Sequence, residues 1–214
     1  STIGEYFCYN CMRLKEVPLR QFVKVRHIGH WFLDSCTGLE SVDLSSLTGV
    51  SQINHGFLYK CESLTNVDLY GLRNVTSIGG NFMTSCHSLT SINLAPIRHV
   101  LSIDDSFMTY CTSLQDVVLR NFDKVSTIGM NFFADCDNLK TLDMKNMINL
   151  RSINSGFLQN NQSLMSVDLP LRLPPTVEPE NFMLSVPSNC QLHCGSFLNA
   201  YKEVSPWSSK NLVE

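Results

Sequence analysis

No run of about 18 apolar residues occurs anywhere in this chain of 214, so no segment reads as a membrane-spanning helix. Charge is scarce as well. Asp, Glu, Lys and Arg make up 16% of the residues, and the formal net charge of −3 offers nothing to a polyanion, which argues against a nucleic-acid partner. A glycine-rich phosphate loop is missing. None of the histidines (His27, His30, His55, His87, His99, His193) pairs with a nucleophile at a recognisable spacing. These gaps leave no basis for catalysis or for a cofactor, and the chain is read as a non-enzyme. No signal peptide is visible either.

What the chain has instead is a period. Cys11, Cys36, Cys61, Cys86, Cys111 and Cys136 follow one another at intervals of 25. Two further columns keep the same interval: Ile3, Ile28, Ile53, Ile78, Ile103, Ile128, Ile153, and Phe7, Phe32, Phe57, Phe82, Phe107, Phe132, Phe157. A leucine column runs from Leu14 to Leu164. Seven copies thus reach about Leu169, and a repeat of this length is the signature of a stacked array.

One copy has too little apolar surface to fold alone, so its columns are buried by copies above and below. Val42, Val67, Ile92, Val117, Leu142 and Val167 alternate with polar neighbours, as in a short strand with one buried face. Stacking sets such strands side by side and parallel, about 4.8 Å apart, in a sheet expected to line a concave face. Phe82, Cys86 and Leu89 are spaced i, i+4, i+7, which predicts one or two helical turns over Asn81 to His87. Gly4, Gly29, Gly79 and Gly129, with Asn54, Asp104 and Asn154, occupy one column where a positive φ and a tight bend are expected.

Cysteines at an interval of 25 place one thiol on each rung. A zinc site needs short paired spacings, so a buried, reduced ladder is expected, its thiols bonded to neighbouring backbone, and no metal site. Cys190 and Cys194 lie outside it, and a disulfide or two free thiols are both open for them. Between the buried strand positions stand Pro18, Asp43, Asp68, Asn93, Val118, Asp143 and Asp168. This acidic column faces out of the sheet and is a candidate to grip basic side chains of a partner. With the neighbouring columns it gives the binding candidates Glu40, Asp43, Asn66, Asp68, Tyr70, Asn93, Asp116, Arg120, Asp143 and Lys145; Tyr and Arg are the types that anchor interfaces.

Beyond Leu169 the period breaks. Four prolines between Pro170 and Pro179 require extended chain. A helix is expected around Ser196 to Glu203, with Phe197, Tyr201 and Trp207 as a lid on the last repeat. A solenoid needs a polar cap, yet the chain starts at Ser1 on the threshold of a repeat, so a fragment of a longer protein is expected.

The pattern I-G-x-x-F-x-x-x-C-x-x-L-x-x-V-x-L, carried in the fourth copy by Ile78, Gly79, Phe82, Cys86, Leu89, Ile92 and Leu94, resembles the BspA-type leucine-rich repeat. The resemblance covers roughly residues 3 to 169. It implies an α/β solenoid: a leucine-rich-repeat array (1–172, seven repeats) with a parallel concave sheet, short helical or irregular convex segments, and a carboxy-terminal cap (173–214). It also implies a surface or secreted module, monomeric, that binds a host or matrix protein in adhesion or recognition. The alternatives are a cytoplasmic interaction scaffold, or the targeting part of an enzyme whose catalytic domain lies elsewhere.

Overall fold

The computed structural model describes residues 1–214 as a stack of turns held together by two parallel ladders, where the sequence had suggested a single sheet. Residue pairs ending in the isoleucine column form the first, here called the isoleucine ladder. Thr2–Ile3 pairs with His27–Ile28, and a six-stranded sheet runs through Gln52–Ile53, Ser77–Ile78, Ser102–Ile103, Thr127–Ile128, Ser152–Ile153 and Thr176–Val177. The isoleucine points inward and its partner outward, because successive side chains of a strand face opposite ways. Three-residue strands centred on the valine column form the second, the valine ladder. It is interrupted: Ser41–Asp43 pairs with Asn66–Asp68, Ser91–Asn93 with Asp116–Val118, and Thr141–Asp143 continues through Ser166–Asp168, Gln191–His193 and Leu212–Val213. The first copy contributes no strand here, as expected where Pro18 removes a ladder donor.

The array is one turn longer than the seven read from the sequence. Val177 takes the isoleucine position, Phe182 the phenylalanine position and Leu192 the valine position. Two things hid this eighth turn. Its first strand pairs Thr176 with Ser152, an offset of 24, and prolines break the surrounding pattern.

The segment Asn81–His87 is not helical. Asn81, Met83 and Ser85 have φ of 57°, 51° and 62°, and the residues between them do not. The same alternation recurs in every turn, for example at Trp31, Leu33 and Ser35 or at Asn131, Phe133 and Asp135. Alternating conformations send successive N–H groups up and down the stack. Asn81 N donates to Asp105 O (2.9 Å) and Ser85 N to Thr109 O (2.8 Å) on the next turn, while Met83 N donates to Phe57 O (2.8 Å) on the previous one. A helix would have closed these bonds within the turn. Here 92 of 109 backbone hydrogen bonds lie outside strands and helices, so turns and not regular elements carry the fold.

A left-handed non-glycine residue costs on the order of 1–3 kcal/mol and persists only where its surroundings over-determine it. The middle left-handed position shows how. Leu33, Leu58, Met83, Met108, Phe133 and Leu158 are fully buried there, and each spends its N–H on the turn before. Glycine occupies the left-handed region in the array only at Gly56 and Gly156. The column of Gly4, Gly29, Gly79 and Gly129 is not left-handed, contrary to expectation. Three of its members are small for a different reason: a Cβ on Gly129 would lie 2.6 Å from the Asp104 carbonyl carbon, and Gly29 and Gly79 meet backbone in the same way.

Two columns fill the core. Eight phenylalanines, Phe7 through Phe182, stack with ring centroids 5.1–6.0 Å apart and planes within 17°. Beside them, the five ladder thiols from Cys36 onward each donate to a carbonyl of the preceding turn: Cys36 to Cys8 (3.0 Å), Cys61 to Leu33 (3.2 Å), Cys86 to Leu58 (3.4 Å), Cys111 to Met83 (3.2 Å) and Cys136 to Met108 (3.2 Å). Asn161, which replaces cysteine in the seventh turn, makes the same contact, donating to Phe133 O (2.7 Å) and also to Leu158 O (2.9 Å). Its own oxygen accepts from Cys136 N (3.1 Å). All nine cysteines are free thiols; burial pushes Cys36 up to about 11 and holds Cys61, Cys86 and Cys136 well above the ordinary thiol value.

In the carboxy-terminal segment the helix is shorter than expected: a 3₁₀ turn, Gly195–Phe197, leads into Leu198–Lys202. Tyr201 and Trp207 are fully buried, and Phe197 is half-buried. Trp207 packs edge-on against Phe182 (4.8 Å) and donates its indole N–H to Pro175 O (3.2 Å). Cys190 and Cys194 flank the extended strand Gln191–His193 as buried free thiols. Four extended residue steps span roughly 13 Å, well beyond the reach of a disulfide.

Removing one ring from the middle of the stack, Phe82→Ala, should cost about 3–5 kcal/mol in urea unfolding. Stability should be level from pH 7 to about pH 8 and fall above the unfolded thiol pKa near 8.5. There the unfolded chain releases thiol protons that the folded ladder retains, so the unfolded state binds fewer protons and gains. Urea midpoints measured from pH 7 to pH 10.5 would read this out, and an array with conservative ladder substitutions should lose the slope.

Candidate interaction surface

The valine ladder turns one residue of each strand inward and the two beside it outward. All ten candidate residues lie along that ladder or just beside it. Glu40, Asn66, Asp68, Tyr70, Asn93, Asp116, Arg120, Asp143 and Lys145 are exposed, and Asp43 is half-exposed. Register sets Asp43 against Asp68, Asn66 against Ser41, and Asp116 against Ser91. The breaks in the ladder fall between Asp68 and Asn93 and between Val118 and Asp143.

The acidic column has a structural task that the sequence reading did not assign. One oxygen of Asp43 accepts from Ser45 N (2.9 Å), of Asp68 from Tyr70 N (2.8 Å), of Asn93 from Ala95 N (3.0 Å) and of Asp143 from Lys145 N (3.0 Å). These are Asx turns, which close the strand by mimicking a backbone bond two residues on. Asp168 cannot make one, because Pro170 has no N–H; it pairs with Lys145 Nζ instead (3.1 Å). Hydrogen bonds from the Ser45 hydroxyl and N–H hold the Asp43 carboxyl below the usual carboxylate range, with Arg20 (3.7 Å) adding to the effect. Glu40 pairs with Lys15 at 2.6 Å in the open, an arrangement worth little in stability.

Past the valine-ladder strands Asn66–Asp68 and Ser91–Asn93 the surface dips into a hollow of about 320 Å³ between Tyr70, Arg73, Asn93, Pro96, Arg98 and Asn121. Tyr70 is 63% exposed, and the Arg73 guanidinium lies 5.7 Å from its ring centroid, within the range of a cation–π contact. Three ion pairs form within the chain, and neither Arg73 nor Arg98 belongs to one. Sequence reasoning picked out Tyr70 but missed both arginines. Their signal was available: they stand 25 apart in one column, on consecutive turns. A second, open groove of about 360 Å³ crosses the isoleucine ladder, bordered by Ser77, Ser102, Thr127 and Asp104. No group of three or more His, Cys, Asp or Glu side chains is arranged to hold a metal ion.

Stacked parallel ladders, a recurring L-x-x-L-x-L strand and a continuous apolar core define a leucine-rich-repeat solenoid. Residues 1–121 and 76–182 match the model of the BspA type leucine rich repeat region, in six copies, and the chain belongs to that family. No curated protein matches it. Among solved structures, a leucine-rich repeat protein of T. pallidum is similar, at 22% identity and a TM-score of 0.50, over 82% of this chain and 65% of that one. A leucine-rich repeat protein from Bacteroides ovatus ATCC 8483 is 16% identical over 90% of this chain and 58% of its own, with a TM-score of 0.44. A leucine rich cell surface protein from Faecalibacterium prausnitzii A2-165 is 14% identical over 100% of this chain and 76% of its own, with a TM-score of 0.31. The chain thus spans less than two thirds of the first two. The T. pallidum likeness supports the fold. Repeats of this family are generally binding modules and not catalysts, which points to a protein-interaction module. No helix is long and apolar enough to cross a membrane.

The Asx turns give the column a measurable signature. Asp143→Ala should destabilise the array by about 1 kcal/mol through loss of the bond to Lys145 N–H. Asp116→Ala, a neighbouring exposed acid without such a bond, should stay within about 0.5 kcal/mol. Equal urea midpoints for the two variants would show that the column is not needed to close the strands.

Proposed function

We propose that this chain is a recognition module that binds another protein through the valine-ladder face, with its contact centred on Tyr70, Arg73 and Arg98. The carrying observation is the hollow itself. It joins an aromatic ring 63% exposed to two guanidinium groups that no carboxylate of the chain neutralises. Aromatic and arginine side chains dominate the energetics of protein interfaces, and unpaired arginines favour a partner surface that offers carboxylates. Arg120, also outside the chain's ion pairs, extends the cationic edge along the stack. The acids of the column serve the turns and shape this face more than they grip a ligand. In this reading the segment after His193 caps the array, with Trp207 and Tyr201 shielding the last phenylalanine, Phe182, from water.

Family membership supports a surface or secreted setting, with a host or matrix protein as the partner in adhesion. One observation favours the second reading, an intracellular scaffold: all nine cysteines are free, and free thiols are the rule in reducing compartments. Protease shaving of intact cells separates the two, since a surface module is cleaved and a cytoplasmic scaffold is protected.

Tyr70→Ala, or the pair Arg73→Glu and Arg98→Glu, should weaken binding to the cognate protein at least tenfold in surface plasmon resonance, with an unchanged far-ultraviolet spectrum. Affinity untouched by both changes would move the contact off this face.

A further inference from the structure

The formal net charge of −3 averages over two opposed surfaces. In the middle of the stack, each turn passes from its valine strand to its next isoleucine strand through a connecting run: residues 69–76, 94–101, 119–126 and 144–151. These four runs hold Arg73, Arg98, Arg120, Lys124, Lys145 and Arg151 against a single acid, Asp123. The residues between them, 77–93, 102–118 and 127–143, are the reverse. They hold Asp104, Asp105, Asp116, Asp135, Asp137 and Asp143 against a single cation, Lys140. Stacking turns this alternation along the chain into a division in space, because equivalent runs lie one above another, about 4.8 Å apart. Arg73 and Arg98 border one hollow, and Lys124 Nζ lies 3.0 Å from His99 Nδ1 on the turn before. Of the six cations only Lys145 has an acid partner, Asp168. The other five form an unneutralised stripe over four consecutive turns, roughly 14 Å long. Arg98, Arg120, Lys124 and Arg151 are exposed, and Arg73 is half-exposed.

A second feature of the same runs narrows the ligand. Asn74, Asn121, Asn146 and Asn149 are exposed, and each turns its amide N–H into the stack. They donate to Thr48 O (2.8 Å), Ala95 O (2.8 Å), Arg120 O (3.2 Å) and Asp123 O (2.7 Å). The four side-chain oxygens accept no bond from the chain and stand among the cations as free acceptors. Regularly spaced cations call for a row of anionic groups, and interleaved acceptors call for hydroxyl donors. We propose that this edge binds a sulfated linear polysaccharide laid along the stack. Arg73, Arg98, Arg120, Lys124 and Arg151 hold its sulfates, and the asparagine oxygens accept from its hydroxyls. One rung is close to the length of one sugar ring, so cations on every turn ask for an anion on nearly every sugar. Sulfation supplies that density, whereas a single carboxylate on every second sugar does not. Single-stranded nucleic acid fits less well, because it is held by a series of stacking aromatics, and Tyr70 is the only exposed one on these runs. A duplex groove takes a helix or a two-stranded ribbon, and the only helical element here is the short turn Tyr70–Leu72. The stripe goes beyond the protein contact at Tyr70, since it continues two turns past Arg98.

The test uses the full chain in surface plasmon resonance, with heparin oligosaccharides of defined size as the probe and hyaluronan and single-stranded DNA of matched length beside them. Heparin is expected to bind, with an affinity that falls steadily as salt rises, because the contact releases counterions. Hyaluronan and DNA should bind at least about tenfold more weakly, lacking the matched pattern of charge and hydroxyl. The paired change Lys124→Glu and Arg151→Glu lies outside the Tyr70 hollow. It should weaken heparin binding by about tenfold or more, since like charges then face the sulfates. Lys140→Glu, which reverses the cation on the acidic side, should change heparin affinity less than about twofold, because solvent and salt screen a distant exposed charge. Heparin affinity untouched by the paired change would overturn the proposal. So would the absence of heparin binding at low salt, or hyaluronan or DNA binding as tightly as heparin. Urea midpoints identify any variant that fails to fold, and the comparison of the three ligands on the unaltered chain then decides.

Discussion

The structure depends on hydrogen bonds directed along the stack. In a helix or a hairpin, backbone groups find partners within a local segment. Here the run from the isoleucine strand to the thiol column sends its N–H groups alternately to the turn above and the turn below. That direction requires left-handed φ at every second residue, including leucine, methionine and phenylalanine. Such residues are strained on their own. They are tolerated because each makes an inter-turn bond, and because the middle one also buries a large apolar side chain. A single turn therefore cannot exist alone, and stability is a property of neighbouring pairs.

The core repeats the same logic in side chains. The phenylalanine rings stack on one another, and the thiols of Cys36, Cys61, Cys86, Cys111 and Cys136 reach carbonyls of the turn before. Asn161 shows that the position is defined by that bond and not by sulfur. An amide fills the site, donates to the same carbonyl and recruits an extra backbone donor from Cys136.

The surface divides between groups that shape it and groups left free. Asp43, Asp68, Asn93 and Asp143 look alike in sequence to acids that bind a partner, yet each commits an oxygen to closing its strand. Tyr70, Arg73 and Arg98 make no such commitment. In the proposed function the contact therefore lies on the aromatic and cationic hollow beside the acidic column. The acidic column was legible as a column, but its role was not, because an Asx turn and a ligand contact use the same residue types at the same position.

The amino-acid sequence by itself determined the repeat length, the buried columns, the parallel stacking and the ladder of reduced thiols. Those follow from burial, which a periodic pattern of apolar residues states directly. Only the tertiary structure decided the path of the backbone between columns. The spacing of Phe82, Cys86 and Leu89 fits a helix as well as it fits a run of left-handed turns, since both return side chains to the same core. The choice rests on where the N–H groups find acceptors, and those acceptors belong to other turns some 24 to 26 residues away. The eighth turn was decided the same way. Its strands and its phenylalanine dock on the seventh despite a shifted register, because packing against an existing rung can tolerate a one-residue change that a fixed period cannot.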